Sequence, residues 1–252
     1  MSFEVSADAY GQFMGRFARP LAVAFADLVG VTPGQSALDV GCGSGVLTDV
    51  LVDRLGADQV CAADPSPPFV AAVTDRHPTL DVRLAGAEDL PFPSDRFDLV
   101  LAQLVVLFMS DPVRGIAEMA RCARPGGTVA ASVWDHGGGT GPLSPFWDAV
   151  RAVDPDGPDE MDLPGVHEGQ LAELFAQAGL PDVSSSALTV RVAHPTFEEW
   201  WDPFTLGVGP AGAYVAGLDP DALAALKEQC RAQLPPAPFH TDATAWVAIA
   251  KA

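Results

Sequence analysis

The sequence predicts an α/β fold in which helices cover a doubly wound, mostly parallel sheet of seven strands. Short apolar runs alternate with amphipathic segments of helical period through roughly residue 134. The apolar runs are nearly continuous, as is typical of parallel strands that are buried on both faces. A glycine-rich turn joins the first of these runs to the helix that follows it. Together these observations indicate strands linked by crossover helices around one core.

The N-terminal segment, residues 6–29, reads as a helix with an interruption near Pro20. The apolar residues that recur about one helical turn apart in this segment are Phe13, Phe17, Leu21 and Phe25. We therefore expect residues 1–30 to form a helical lid on the sheet.

The remaining elements follow in the order that a doubly wound sheet requires. The predicted strands are SALDV, QVCAAD, LDVRLAG, one within RFDLVLAQLVVLFM, then GGTVAASVW, DVSSSALTVRVA and ATAWVAIA. The predicted helices are GVLTDVLVDRL, PPFVAAVTDR, PVRGIAEMARCA, FWDAVRAV and LPGVHEGQLAELFAQAGL. Residues 195–237, between the last two strands, are predicted to form a helical cap. The whole chain, residues 1–252, is predicted to be a single domain.

Composition excludes several classes of partner. The chain of 252 residues is 48% hydrophobic and has a net charge of −19, and such a surface repels the phosphates of nucleic acids and membranes. The longest apolar run, Leu99 to Met109, is too short to span a bilayer, and the N-terminus lacks a signal-peptide pattern. The cysteine spacing is not that of a zinc site or a disulfide framework. We therefore expect a cytoplasmic protein with reduced thiols, and the sequence indicates no oligomeric state.

The stretch LDVGCGSGVLTDVL, Leu38 to Leu51, has the form of a nucleotide-binding turn between a strand and a helix. Its glycines are Gly41, Gly43 and Gly45. The dinucleotide fingerprint GxGxxG would place its third glycine at position 46, which is Val46 here. One acid, Asp39, lies inside the strand before the turn, and a second, Asp64, ends the next strand. An acid in the latter place can bind both ribose hydroxyls of a nucleotide.

Five motifs occur in the order and spacing of a known family. They are LDVGCGSG, CAADPSP, AEDLPFPSDRFDLVLAQ, EMARCARPGG and ASVWD, within residues 36–134. With these motifs the chain resembles the class I S-adenosylmethionine-dependent methyltransferases, in particular the small-molecule branch that contains the ubiquinone and menaquinone biosynthesis enzymes. The resemblance implies a Rossmann-like methyltransferase fold, S-adenosylmethionine as cofactor and a small-molecule acceptor substrate as partner.

The resemblance assigns roles to residues near the glycine turn, and their chemistry agrees with it. The glycines allow the backbone to approach the methionine part of the cofactor. Asp39 can order the turn and favour the cofactor ammonium, Asp64 can accept the ribose hydroxyls, and Pro65 offers an apolar face to adenine. Arg16, on the predicted lid, could pair with the cofactor carboxylate or could lie on a solvated helix face.

The chain departs from the family at the end of the third strand. The family commonly shows Gly-Asp-Ala there, whereas this chain has Ala-Gly-Ala with Gly86 in place of the acid. Glu88 could replace that acid, or backbone and water could serve the adenine amino group, and Ala87 could offer its N–H to the ring. The complete set of residues expected at the cofactor is Tyr10, Arg16, Asp39, Gly41, Cys42, Gly43, Gly45, Asp64, Pro65, Ala87, Glu88, Gln103 and Leu104.

The acceptor is expected at the carboxyl ends of strands four and five, below the lid and the cap. A general base is needed only if the acceptor must lose a proton, as a hydroxyl often must. His136, two residues after strand five, is the catalytic candidate by position, because histidine titrates near neutrality; the alternative is an exposed loop residue. The aromatic residues that could line an apolar pocket, or pack as the core of the cap, are Trp134, Phe146, Trp147, Trp200, Trp201 and Phe204. No Asp/Asn/His constellation indicates a metal site, so no metal is expected.

The leading hypothesis is methyl transfer from S-adenosylmethionine to an oxygen, nitrogen or carbon of a small, apolar or aromatic metabolite. An alternative keeps the fold and the cofactor but catalyses a non-methylating cyclisation or rearrangement. A nicotinamide-dependent dehydrogenase is disfavoured by Val46 and by the absence of a Tyr-x-x-x-Lys motif, because the chain has only Lys227 and Lys251.

Overall fold

A computed structural model describes residues 11–252, and within them the strands form one seven-stranded sheet. The strands are β1 (Ala37–Val40), β2 (Val60–Asp64), β3 (Asp81–Leu84), β4 (Phe97–Gln103), β5 (Ala123–Trp134), β6 (Ser184–His194) and β7 (Phe239–Lys251). The helices are α1 (Gly15–Val29), α2 (Val46–Leu55), α3 (Pro67–Arg76), α4 (Pro112–Cys122), α5 (Ser144–Val153), α6 (Gln170–Gln177), α7 (Phe197–Trp201), α8 (Gly209–Ala216) and α9 (Pro220–Gln233). The predicted α/β fold is therefore confirmed.

The strand order is β3-β2-β1-β4-β5-β7-β6, which makes the sheet doubly wound. Strands β1 to β5 pair in parallel, and β7 runs antiparallel to both of its neighbours. The order reverses at β1, which lies between β2 and β4. In open α/β sheets, ligands bind at such a switch point, outside the carboxyl ends of the strands. The glycine turn after β1 lies at this position.

The core occupies both faces of the sheet, because successive side chains of a strand point to opposite faces. In β1, Leu38 and Val40 belong to one apolar cluster, together with Ile116 of α4. Ala37 belongs to the cluster on the other face, together with Phe25 of α1. Burial on both faces explains why the sequence of these strands is continuously apolar rather than alternating.

Helix α1 runs through Pro20, so the predicted interruption there is wrong. Pro20 removes one backbone hydrogen bond near the start of the helix. Leu21 and Phe25 are fully buried, and burying each such side chain contributes about 1.5–3 kcal/mol, which offsets that loss. This part of the predicted lid is thus packed as a layer of the fold, while the lid role of residues 1–30 stays a prediction.

The predicted helix over residues 163–180 is shorter in the structure, where α6 begins only at Gln170. Gly165 and Gly169 both have φ +83°, which a continuing helix cannot accommodate. Residues 195–237 are mainly helical and contain α7, α8 and α9. Strands β6 and β7 flank this segment and pair from Ser184↔Ile249 to His194↔Phe239.

None of the helices within residues 11–252 is both long and apolar enough to cross a membrane. The four cysteines are buried free thiols, as the sequence predicted.

Candidate functional site

The glycine turn after β1 depends on backbone conformations that favour glycine. Gly41, Gly43 and Gly45 have φ values of +68°, +52° and +84°, in the left-handed region where a Cβ is costly. A Cβ on Gly41 would also lie 2.5 Å from the side chain of Val105, just beyond β4. A Cβ on Gly43 would meet no described atom within 4 Å. The turn is therefore closed by packing at Gly41 and open at Gly43.

Two buried carboxylates flank this turn at the ends of β1 and β2. Asp64 accepts hydrogen bonds from the backbone N–H of Gly43 at 2.9 Å and of Ser66 at 2.8 Å, so it ties the turn to β2. Burial raises the pKa of Asp64, and these two hydrogen bonds oppose the rise. Asp39 is 1% exposed and accepts a hydrogen bond from the hydroxyl of Thr48 at 2.6 Å. Burial raises the pKa of Asp39 to about 7, although the hydrogen bond from Thr48 acts to lower it.

The neighbouring predicted residues lie around the same turn. Cys42 is buried and burial raises the pKa of its thiol, so it acts as a small apolar side chain. Pro65 is exposed directly after Asp64. Nε2 of Gln103 donates to the carbonyl of Ala18 at 3.0 Å, while its Oε1 is buried without a partner among the described residues. Leu104 has φ +62°, a strained conformation for a branched side chain and one that is typical of functional sites.

The structure places Glu88 over the position where the family has an acid. Oε2 of Glu88 lies 3.1 Å from the place that a Cβ on Gly86 would take. Oε1 accepts hydrogen bonds from the N–H and the hydroxyl of Ser110, both at 2.8 Å. Burial alone would raise the pKa of Glu88, but the hydrogen bonds from Ser110 and from the Asp111 N–H hold it below its ordinary value. Glu88 therefore stays ionised with one oxygen near Gly86, and Ala87 beside it is buried.

Arg16 has other partners than the cofactor carboxylate suggested by the sequence. Its guanidinium donates to the carbonyl of Glu199 at 2.9 Å and lies 3.2 Å from Nδ1 of His194. These contacts join α1 to α7 and to the end of β6, because Arg16 is at the start of α1 and faces the cap. Tyr10 lies outside the described residues.

A cavity of about 40 Å³ opens at the carboxyl ends of β4 and β5, where the acceptor was expected. We call it the smaller cavity, and its walls are Phe13, Met14, Leu104, Leu107, Phe108, Trp134, His136, Leu143, Glu160, Val208, Gly209, Pro210 and Ala211. A second cavity of about 230 Å³, the larger cavity, is lined by His136, Gly137, Gly138, Gly139, Ser144, Trp147, Arg151, Glu160 and Met161. His136 and Glu160 line both cavities, so the two cavities meet at these side chains.

His136 is buried at this junction, with 8% of its surface exposed, rather than in an open loop. Burial lowers its pKa to about 4, and the charge of the neighbouring Asp135 opposes the change only in part. The expectation that it titrates near neutrality is therefore wrong. Asp135 points away and accepts hydrogen bonds from Gly138, Thr140 and Trp246.

Glu160 lines both cavities but is not among the site residues predicted from the sequence. It is 4% exposed, and its Oε2 accepts a hydrogen bond from Nε1 of Trp147 at 2.8 Å. Burial raises the pKa of Glu160, and the Trp147 N–H opposes this. The segment after α5 has no motif or periodicity that indicates a buried carboxyl. The burial of Glu160 is seen only in the structure, through its hydrogen bond with the buried Trp147.

The predicted aromatic residues divide into two groups. Trp134 lines the smaller cavity and Trp147 the larger one. Phe146 stacks on Phe204 with ring centroids 4.4 Å apart, and Trp200 lies 4.9 Å from the same ring. Trp201 is also within this cluster, so three of the six residues pack the interior of the cap and Phe146 packs against them from α5. No group of three or more His, Cys, Asp or Glu side chains within residues 11–252 is arranged to hold a metal ion.

The doubly wound sheet, the glycine turn and the acid that ends β2 together define a protein that binds a nucleotide-type cofactor. A methyltransferase domain family matches residues 38–131. A nocamycin O-methyltransferase of Saccharothrix syringae is 30% identical over 231 residues, which cover 89% of this chain and 70% of that protein. A demethylmenaquinone methyltransferase of Renibacterium salmoninarum is 32% identical over 134 residues, which cover 53% of this chain and 54% of that relative, about half its length.

Among solved structures, a phosphoethanolamine N-methyltransferase 2 of Haemonchus contortus, in complex with phosphomonomethylethanolamine and S-adenosylhomocysteine, has the same fold. The TM-score is 0.61 at 18% identity, over 97% of this chain and 56% of that one. The chain therefore belongs to the class I S-adenosylmethionine-dependent methyltransferases of the small-molecule branch, and S-adenosylmethionine is its cofactor. The predicted family and cofactor are confirmed.

The residues at the glycine turn fit this cofactor. The open space at Gly43 allows a ligand to approach the backbone closely. Neither Asp39 nor Asp64 takes part in a salt bridge within the part of the chain that the structure describes. No cation within this part of the chain therefore competes for either carboxylate. Asp39 could bind an ammonium group and Asp64 could bind hydroxyl groups.

Proposed function

We propose that this protein transfers the methyl group of S-adenosylmethionine to an oxygen, nitrogen or carbon nucleophile of a small, apolar or aromatic metabolite. The observation that carries the proposal is the turn after β4. Val105 packs against Gly41 of the glycine turn, while the adjacent Leu104 lines the smaller cavity. The acceptor cavity and the cofactor turn are thus neighbours across a single short turn.

The chain's own residues have two tasks in this reaction. Asp39, Asp64 and the backbone of the glycine turn would hold the cofactor, which supplies a methyl group on a positively charged sulfur when it is bound. The walls of the smaller cavity would hold the acceptor atom in line with that methyl group and exclude water. Much of the acceleration of such a displacement can come from this positioning.

The nocamycin relative is named as an O-methyltransferase, which supports oxygen as the acceptor atom. The apolar lining of the smaller cavity supports an apolar or aromatic substrate. We also propose that the protein acts in the cytoplasm in biosynthesis, without nucleic acid as a partner. Its four free cysteines and its net charge of −19 support this part of the proposal.

The test is to measure S-adenosylmethionine binding by calorimetry and then S-adenosylhomocysteine formation with a panel of hydroxyl, amine and carbon-nucleophile acceptors. We expect a product whose mass has increased by one CH₂ group. Consumption of an acceptor to a product of unchanged mass, with no S-adenosylhomocysteine formed, would refute methyl transfer and support a cyclisation or rearrangement instead.

A further inference from the structure

Several polar groups around the junction of the two cavities, two of them with fully buried atoms, have hydrogen-bonding capacity that the described residues do not use. Nε1 of Trp134 and Oγ of Ser144 are buried without any partner among residues 11–252. The ring nitrogens of His136 form no hydrogen bond within this part of the chain, and Glu160 uses only Oε2. An unsatisfied buried group costs about 1–3 kcal/mol, and native proteins keep few of them. Trp134 lines the smaller cavity, Ser144 lines the larger one, and His136 and Glu160 line both, so these groups surround the junction and point to a bound molecule that supplies the partners.

The carboxyl group of Glu160 is held in one orientation from α5. Nε1 of Trp147 donates to Oε2, which leaves Oε1 without a partner in the described residues. Glu160 lines both the smaller and the larger cavity. Its unpartnered Oε1 is therefore on a side chain that reaches both of them.

We infer that Glu160 is a catalytic residue whose Oε1 accepts the proton of an acceptor hydroxyl, and that the acceptor is an uncharged, mainly apolar molecule carrying this hydroxyl. The inference rests on the proposed methyl transfer and adds to it the acceptor class and the proton acceptor. The smaller cavity, of about 40 Å³, is too small to hold such a molecule alone, so the acceptor would extend across the junction into the larger cavity of about 230 Å³, with its apolar body against Phe13, Leu104 and Val208.

The polar groups on the wall favour a hydroxyl over an amine cation. The Trp134 Nε1–H can only donate, so it requires a lone pair on the bound molecule. Oε1 of Glu160 can only accept when ionised, so it requires a donor. A hydroxyl supplies both, whereas an ammonium group has donors only. A neutral amine also supplies both, so the choice of a hydroxyl over an amine rests on the nocamycin relative, which is named as an O-methyltransferase.

In the proposed step, the acceptor oxygen forms the new bond to the methyl carbon with one of its lone pairs. The carbon–sulfur bond breaks and its electron pair stays on sulfur. The hydroxyl proton passes to Oε1 of Glu160, so the products are a methyl ether, S-adenosylhomocysteine and a protonated Glu160. The proton then leaves through the larger cavity, which restores the carboxylate.

Glu160 is a better proton acceptor than His136 because burial acts on the two groups in opposite directions. Burial lowers the pKa of His136 to about 4, which makes the imidazole a weak base. Burial raises the pKa of Glu160, the Trp147 N–H opposes this, and the charge of Asp159 adds to it. Arg151, which lines the larger cavity together with Glu160, forms an ion pair with Asp148. A stronger base accepts a proton more readily in the transition state, as long as it is ionised at the working pH.

The test compares the full-length wild type with Glu160→Gln, which retains an oxygen for the Trp147 N–H and cannot take the proton. Glu168→Gln is the matched control, because Glu168 is exposed in the same segment. The acceptor probes are 2-naphthol and 1-naphthol, which stay uncharged near neutral pH, and 2-methoxynaphthalene and 1-methoxynaphthalene are their ethers. S-adenosylhomocysteine formation gives kcat, and calorimetry gives the Kd of S-adenosylmethionine for each variant.

We expect Glu160→Gln to lower kcat by about 100-fold or more, the range of general acid–base catalysis, with the cofactor Kd unchanged. The wild-type rate should rise with pH as Glu160 loses its proton, and Glu160→Gln should lack this rise. In the presence of S-adenosylhomocysteine, the wild type should bind each hydroxyl probe more tightly than its ether, and Glu160→Gln should not discriminate. His136→Gln should reduce kcat less than Glu160→Gln does.

The inference would be overturned by an unchanged kcat in Glu160→Gln, by a larger loss of kcat in His136→Gln, or by wild-type protein that binds the ethers as tightly as the hydroxyl probes. S-adenosylhomocysteine formed from amine acceptors but from no hydroxyl acceptor would also overturn it, while methyl transfer itself would stand. Cofactor binding without S-adenosylhomocysteine formation from any acceptor would instead refute the proposed function. A cofactor Kd that weakens as much as kcat falls would assign Glu160 a structural role.

Discussion

The buried carboxyl of Asp39 should oppose folding and favour cofactor binding, and Asp39→Asn separates the two effects. The substitution keeps the shape of the side chain and an oxygen for the Thr48 hydroxyl, which lies 2.6 Å from Oδ2. It removes the negative charge. Because the carboxylate is 1% exposed, its charge in the folded protein has little access to water.

The magnitude follows from the pKa of Asp39, which rises from an ordinary value of 3.8 to about 7 on folding. A folded-state pKa above the unfolded one means that stability is fully present below pH 3.8 and is lost as the pH rises through 7. A difference of about 3 between the two pKa values corresponds to about 4 kcal/mol. Asp39→Asn should therefore be more stable than wild type by about 2 kcal/mol at pH 5.5 and by about 4 kcal/mol at pH 8.5.

Urea denaturation of the cofactor-free protein at both pH values measures this effect. Calorimetry on the same variant should show S-adenosylmethionine bound about 30-fold more weakly, because losing one partner of a buried charge pair costs 2 kcal/mol or more. An Asp39→Asn protein that is less stable than wild type by equal amounts at both pH values would refute the reasoning. An unchanged affinity for S-adenosylmethionine would show that Asp39 does not bind the cofactor ammonium.

The remaining predictions concern the glycine turn, adenine and the Glu160 carboxyl. Gly41→Ala should lose more stability in urea denaturation than Gly43→Ala, because both cost about 1–2 kcal/mol for their φ and only the first meets Val105. Gly43→Ala should instead weaken S-adenosylhomocysteine binding in calorimetry, since its Cβ enters the open space. Glu88→Gln should weaken that binding about tenfold, because an amide N–H would replace the oxygen offered to the adenine amino group. It should also lower stability slightly at neutral pH, because the hydrogen bonds that depress the pKa of Glu88 stabilise its ionised form. Trp147→Phe should move the rise of kcat with pH to higher pH, because the lost N–H no longer opposes the raised pKa.

Each of these has a contradicting result. Equal stability losses at the two glycines would show that the Val105 contact is unimportant. An unchanged affinity for S-adenosylhomocysteine in Glu88→Gln would show that backbone and water, rather than Glu88, bind the adenine amino group. An unmoved pH profile in Trp147→Phe would mean that the titrating group is not the Glu160 carboxyl.

The glycine turn and the two acids beside it could be located from the sequence because their signals are local. Asp39, Gly41 and Gly43 lie within one strand and one turn, and Asp64 ends the next strand. Continuous apolar runs identify these strands, and the spacing of the glycines between a strand and a helix identifies the turn. The order of motifs along the chain then places the turn and the acid at the same edge of the sheet.

The acceptor half could not be predicted in the same way, because its wall is assembled from distant segments. Glu160 comes from a loop without periodicity, and its burial depends on Trp147 of α5. The pKa of His136 depends on how much water the surrounding elements exclude, which its neighbours in the sequence do not specify. Arg16 contacts the end of β6 and α7, which are remote from it along the chain. Such properties arise from packing between segments rather than from the pattern of any one of them.

The pairing of β6 with β7 makes the segment between them exchangeable. His194 and Phe239 are paired partners, so the segment leaves and re-enters the sheet at points only about 5 Å apart. A segment with adjacent ends can be replaced by one of another length at small entropic cost, since the cost of closing a loop grows only slowly with its length. Strands β1 and β2, which carry Asp39 and Asp64, lie on the other side of the sheet from this edge. Substituting residues 195–237 with the corresponding segment of a relative is thus a direct route to chimeric enzymes with one cofactor site and different acceptor preferences.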